Sequence, residues 1–83
     1  MEEKKDKWND FNIVFGKYIK MAREKNNLTQ RELAKKLGVC QSLIQYWENG
    51  KRNIDFYFAV RVCMVLKVDV RDFIDNYAYY AMM

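Results

Sequence analysis

Gln41, Ser42, Gln45 and Tyr46 stand at spacings that a helix would gather onto one side, and all four carry neutral hydrogen-bonding groups. With Gln41 at the origin and about 100° per residue, Ser42, Gln45 and Tyr46 fall between about 40° and about 140°, while Ile44 and Trp47 fall near about 300° and about 240°. A helix that only covered a core would more often carry Lys and Glu on its outer side. An amide can bond N6 and N7 of adenine together, and each such pair is worth about 1–3 kcal/mol of discrimination in the DNA major groove. Gln41 and Gln45 are therefore candidate readers of base edges. Ser42 serves several bases equally well, and Tyr46 suits either a thymine methyl or a phosphate. An ordinary solvated helix face is the competing explanation.

Cations adjoin this stretch. Asn49, Lys51 and Arg52 leave the end of the same helix, and Lys20 lies on the first helical stretch of the chain. Gln30 opens a helix, where backbone N–H groups favour anions. Phosphate contacts of this kind set position rather than sequence, and they make affinity fall steeply with salt. The net charge of +4, from fifteen basic and eleven acidic residues, is compatible with a polyanionic partner. Charge alone does not demand one, and Lys51-Arg52 reads equally as a soluble loop.

Other chemistries find little support. The chain has no histidine, the commonest general base and zinc ligand, and no Gly-rich phosphate loop. Cys40 and Cys63 form neither a C-x-x-C motif nor a disulfide framework. Catalysis, a metal and a cofactor are not expected. No apolar leader follows Met1 and no long apolar span occurs, so a cytoplasmic protein with reduced thiols and no membrane contact is expected.

The elements that must position these residues are helices. Eighty-three residues make one small domain, and three glycines with no proline argue against a turn-rich β protein. Residues 1–10, MEEKKDKWND, are charged and apolar only at Trp8, so they are expected as a mobile arm, with residues 11–83 forming the domain. From Phe11 a helical pattern begins, with Phe15, Tyr18, Ile19 and Ala22 on one side, and Asn26-Asn27 ends it. Thr29 and Glu32 fit a capping box, and Leu28 and Leu33 take the positions of a hydrophobic staple. That predicts a helix from Gln30 to Leu37, stopped by Gly38. Gly38, Val39 and Cys40 link it to the helix from Gln41 to about Asn49, and so short a link holds two helices at a steep angle. Asp55 caps a fourth helix, FYFAVRVCMVL, and Asp69 a fifth that carries Phe73, Ile74 and Tyr77.

Leu28-Thr29-Gln30-Arg31-Glu32-Leu33-Ala34, Leu37-Gly38-Val39, Ile44 and Trp47-Glu48-Asn49-Gly50-Lys51 together resemble the Cro/cI-type (Xre-like) helix-turn-helix family of phage and bacterial repressors. The likeness continues without a gap through Ala59, Val62-Cys63, Leu66, Val68 and Phe73. It implies an all-α, compact five-helix, lambda-repressor-like domain whose third helix lies in the major groove of double-stranded DNA. By the same resemblance Gln41 and Ser42 open the base-reading face, with Gln45 and Tyr46 further along. Gln30 takes a phosphate-contacting place that also braces Gln41, and Arg23 and Glu48 take the places of a structural ion pair. The sequence departs from the family at Cys40, where Ser or Thr is usual and caps better, and at Ile54, where proline is common.

The resemblance also assigns Phe56, Ala59, Val62, Cys63 and Leu66 to the core. Tyr57, Val60 and Met64 remain on another face of the fourth helix, and with Tyr77, Tyr80 and Met82-Met83 they would make a large apolar patch on a monomer. A homodimer through the fourth and fifth helices is expected, against a tail folded back over its own first helix. The functional expectation is a repressor occupying a two-fold operator. Its rivals are an antitoxin-type component whose apolar C-terminal part holds a protein partner, and a module that only scaffolds.

Overall fold

The computed structural model describes the backbone of residues 2–69 and 71–75, and the side chains of residues 11–69 and 71–75. Four helices are set out in full: α1 (Glu2–Lys25), α2 (Gln30–Leu37), α3 (Gln41–Glu48) and α4 (Phe56–Leu66). A fifth helical stretch, α5, covers 71–75, and no strand occurs among the described residues. The fold is the expected all-helical one.

Helix α1 starts at Glu2 rather than at Phe11, so the start expected from the apolar pattern is corrected. The cause is local. Glu and Lys are good helix formers, and neither Gly nor Pro interrupts the first ten residues, so the helix persists beyond its apolar stripe. It ends at Lys25, and Asn27 turns the chain with φ 57°, a left-handed conformation that Asn tolerates. The Asn26 amide donates to the carbonyls of Ala22 and Leu66, each at 2.9 Å, and so ties the C-terminal ends of α1 and α4 together.

The bounds of α2 are those predicted. The Thr29 hydroxyl accepts from the Glu32 amide at 3.0 Å, while the Glu32 carboxylate accepts from the Thr29 amide at 2.8 Å. These bonds hold the Glu32 carboxyl below its ordinary range. Gly38 ends the helix at φ 73°, and Val39 N–H donates back to the Ala34 carbonyl at 3.0 Å, so the orphan carbonyls are satisfied. Cys40 stands at the N-cap of α3 with no side-chain cap bond, as its weak thiol implied. Asp55 caps α4 by accepting from the Phe58 amide at 2.8 Å, and Asp69 caps α5 by accepting from the Arg71 amide at 2.9 Å.

Phe15, Ile19 and Ala22 of α1, Leu33, Ala34 and Leu37 of α2, Ile44 and Trp47 of α3, Val62 and Leu66 of α4, and Phe73 of α5 form one buried core. Phe15 and Phe73 meet edge to face at 4.7 Å between ring centroids. Among the described residues no buried side-chain nitrogen or oxygen lacks a hydrogen-bond partner.

One core assignment fails. Phe56 is 82% exposed, not buried. It is the first residue of α4, on the same helix face as the buried Cys63 seven residues on, but it lies ahead of the stretch from Val62 to Leu66 that holds the buried residues of α4. Ile54 before it packs against the core, and Phe58 after it meets the Trp47 ring at a tilt, with 5.5 Å between ring centroids, so the inward places are already taken. Cys63 is buried as expected, and burial pushes its thiol above the ordinary range. Tyr77, Tyr80 and Met82-Met83 lie outside the described residues.

Candidate nucleic-acid interface

Helix α3 is apolar inward and amide-rich outward, as its periodicity required. Ile44 and Trp47 are buried, while Gln41, Ser42, Gln45 and Tyr46 are exposed. Among the described residues the four polar side chains make no side-chain hydrogen bond. Asn49, Lys51 and Arg52 are exposed at the foot of the same helix. All seven residues are therefore exposed on α3 or in the few residues that directly follow it.

What fixes this helix is its crossing with α1. A Cβ added at Gly16 would lie 2.3 Å from the Trp47 carbonyl oxygen and 2.8 Å from that of Glu48. Gly16 is thus the point where the backbones of α1 and α3 touch. Two turns further along α1, Arg23 meets Glu48. Its Nε donates to one carboxylate oxygen at 2.6 Å and its second terminal nitrogen to the other at 3.1 Å. The remaining terminal nitrogen donates to the Leu28 carbonyl at 2.8 Å. Both side chains are buried, and the bonds to Glu48 hold the guanidinium above its ordinary pKa against the opposing effect of burial. The expected ion pair is present. Lys20 lies between Gly16 and Arg23 along the same stripe of α1 and is exposed.

Gln30 behaves differently from expectation. Its amide donates to Glu48 at 2.9 Å and so joins the Arg23–Glu48 cluster, rather than bracing Gln41. The cause is the charge of Glu48, a stronger acceptor than a neutral amide oxygen. Gln30 stays half-exposed at the N-terminus of α2, and its amide nitrogen carries a second hydrogen.

Gly16, Asn12 and Asn53 escaped the sequence reading. Asn12 Nδ2 donates to Asn53 Oδ1 at 2.6 Å, joining α1 to the loop after α3. Only Gly16 left a signal in the sequence, a lone glycine inside an otherwise sound helical pattern. A bond between residues so far apart leaves none.

An eight-residue helix set against its predecessor by a three-residue turn, apolar side in and amides out, defines a helix-turn-helix module. A family model described as helix-turn-helix matches residues 19–73. The chain is 39% identical over 54 residues to an uncharacterised HTH-type transcriptional regulator of Archaeoglobus fulgidus, covering 65% of this chain and 76% of that protein. A second such regulator from the same organism is 37% identical over 54 residues, covering 65% and 77%. The chain belongs to the Cro/cI-type helix-turn-helix family. None of the described helices is long and apolar enough to cross a membrane.

Proposed function

We propose that this protein is a non-catalytic, sequence-specific, double-stranded DNA-binding transcriptional regulator of the cytoplasm, a repressor that occupies a two-fold operator. The observation that carries the proposal is the outer face of α3. Its amides are exposed and unengaged while its indole anchors the helix in the core. Family membership and the names of the two relatives support the same reading. Gln41, Ser42, Gln45 and Tyr46 read base edges, while Gln30, Asn49, Lys51, Arg52 and Lys20 meet phosphates. Selection of bound duplexes from a random pool, at stated salt, tests this directly. A shared two-fold sequence is expected, and equal binding to all duplexes would rule the reading out. With the selected duplex, Gln41→Ala is expected to lower specific affinity by roughly 5- to 150-fold, the equivalent of one lost bidentate pair, with weak nonspecific binding retained.

The proposal includes pairing. A single module of this kind covers only about 600–1,000 Å² of DNA-facing surface, little for tight specific binding. A two-fold pair sets its reading helices one DNA turn apart, roughly 34–36 Å. Tyr57 and Met64 are 61% and 72% exposed, with Val60 half-buried between them. Phe56 and Ile74 widen that patch and border an apolar groove of about 320 Å³ floored by Phe11, Phe15 and Phe73. Tyr77 and Tyr80 stay part of the proposed interface on sequence grounds alone. A dimer at micromolar concentration is expected in sedimentation, and Met64→Glu is expected to give a folded monomer whose melting temperature is lower and no longer depends on protein concentration. A monomeric parent would remove this element.

The same apolar surface favours a second reading, an antitoxin-type component that holds a protein partner there while DNA binding serves its own regulation. Co-purification of a stoichiometric partner from the native host would favour it over the homodimer.

A further inference from the structure

We infer that Asn12 is a positioning residue for DNA binding: through Asn53 it fixes the loop that presents Lys51 and Arg52, although α1 itself presents no reading face. The inference rests on the DNA-binding reading above and adds a device to it.

The loop after α3 is held at both ends. At its start, Gly50 takes φ 71°, and a Cβ there would lie 2.9 Å from Ile13 Cγ1 and 3.0 Å from Ile13 Cα, so the loop backbone rests directly on α1. The Lys51 amide donates to the Tyr46 carbonyl at 2.9 Å, which hooks the loop to the reading helix. At its far end, the Asn53 side chain accepts from Asn12 at 2.6 Å. Lys51 and Arg52 lie between these fastenings. Both are exposed, and among the described residues neither forms a salt bridge.

The physical consequence concerns order. A cation on a free loop must lose backbone freedom to meet a phosphate and so holds that contact only part of the time, whereas a cation on a loop already fixed has little left to lose and keeps it. Asn12 sits one turn before Gly16, on the same rod that sets the pitch of α3. One element therefore sets both the base-reading helix and the cations that would grip the adjoining backbone.

The test uses the full chain and the duplex recovered by selection, with affinity measured over a series of salt concentrations for the parent, Asn12→Ala, Asn53→Ala and the double variant. Alanine is the best helix former, so Asn12→Ala leaves α1 intact and isolates the lost bond. Each single variant is expected to bind about 3- to 10-fold more weakly at low salt, and the double variant no more weakly than either. The slope of log affinity against log salt is expected to fall by about one to two contacts at roughly 0.9 each. Base preference should not change, and the melting temperature should hold within about 2 °C, as suits an exposed bond. Unchanged affinity and slope in Asn12→Ala would overturn the inference. So would a loss in Asn53→Ala much larger than that in Asn12→Ala, which would mark Asn53 as a direct DNA contact. A fall in melting temperature with lost base preference would reduce Asn12 to a purely structural role, and that too would overturn it. A parent that binds no duplex sinks the proposed function along with this inference, whereas an unaltered variant of a binding parent sinks this inference alone.

Discussion

Arg23→Met is expected to cost the folded domain about 3–5 kcal/mol, the usual penalty for leaving one half of a buried ion pair alone. The Glu48 carboxylate would lose partners at 2.6 and 3.1 Å and keep only the Gln30 amide, while the Leu28 carbonyl would lose its 2.8 Å donor. Arg23 and Glu48 are 8% and 6% exposed, so water cannot take the place of the missing guanidinium. A chain of this length typically holds about 4–12 kcal/mol in all, so the variant should lose a large share of its stability and unfold at a much lower denaturant concentration. Denaturant titration followed by circular dichroism measures this. The companion Arg23→Met/Glu48→Met should recover most of the loss, because no charge then remains buried. A single variant as stable as the parent would mean that the pair is solvated. A double variant that lost the full sum would mean that the two residues act independently.

Gly16→Ala is expected to destabilise the domain by about 1–3 kcal/mol, the range for forcing extra atoms into a packed site. Two effects oppose each other. Alanine in place of glycine inside a helix gains about 0.5–1 kcal/mol, which by itself would raise stability. Against that, the new Cβ would lie 2.3 Å from one backbone oxygen and 2.8 Å from another, neither of which a rotamer change can move away. The clash wins, and α1 and α3 must separate. For a domain of this size about 1 kcal/mol shifts the melting temperature by roughly 4–8 °C, so a drop of at least several degrees is expected in a thermal scan. An increase would mean that the helices do not approach as described. Because the separation displaces α3, affinity for a selected duplex should, on the proposed reading, fall even where the variant remains folded.

How much of this was legible in the sequence depends on how far apart the cooperating residues lie. Helix α2 came out residue for residue because Thr29, Glu32 and Gly38 act on atoms within a few positions of themselves. The two faces of α3 came out because one period decides them. Helix α1 was misjudged at its start because an apolar stripe marks where a helix packs, not where it begins. Phe56 was placed inside because a family position was carried over just after Ile54, one of the two points where the sequence departs from the family. Ile54 occupied the inward place instead. Gln30 was matched to the wrong partner because a neutral amide was weighed without the carboxylate that the fold brings beside it. The Gly16 crossing and the Asn12–Asn53 bond depend on how two distant segments meet, and no local pattern encodes that.

The union of α1 with α3 and its loop has a consequence for the other molecule. On the proposed reading, a face clamped along a single rigid strut has no joint with which to follow the curvature of a duplex. The burden of fitting then falls on the DNA, whose stiffness varies from step to step. Operators with pliable pyrimidine–purine steps between their half-sites would be accepted more readily than stiff A-tract spacers, even at base pairs that no side chain touches.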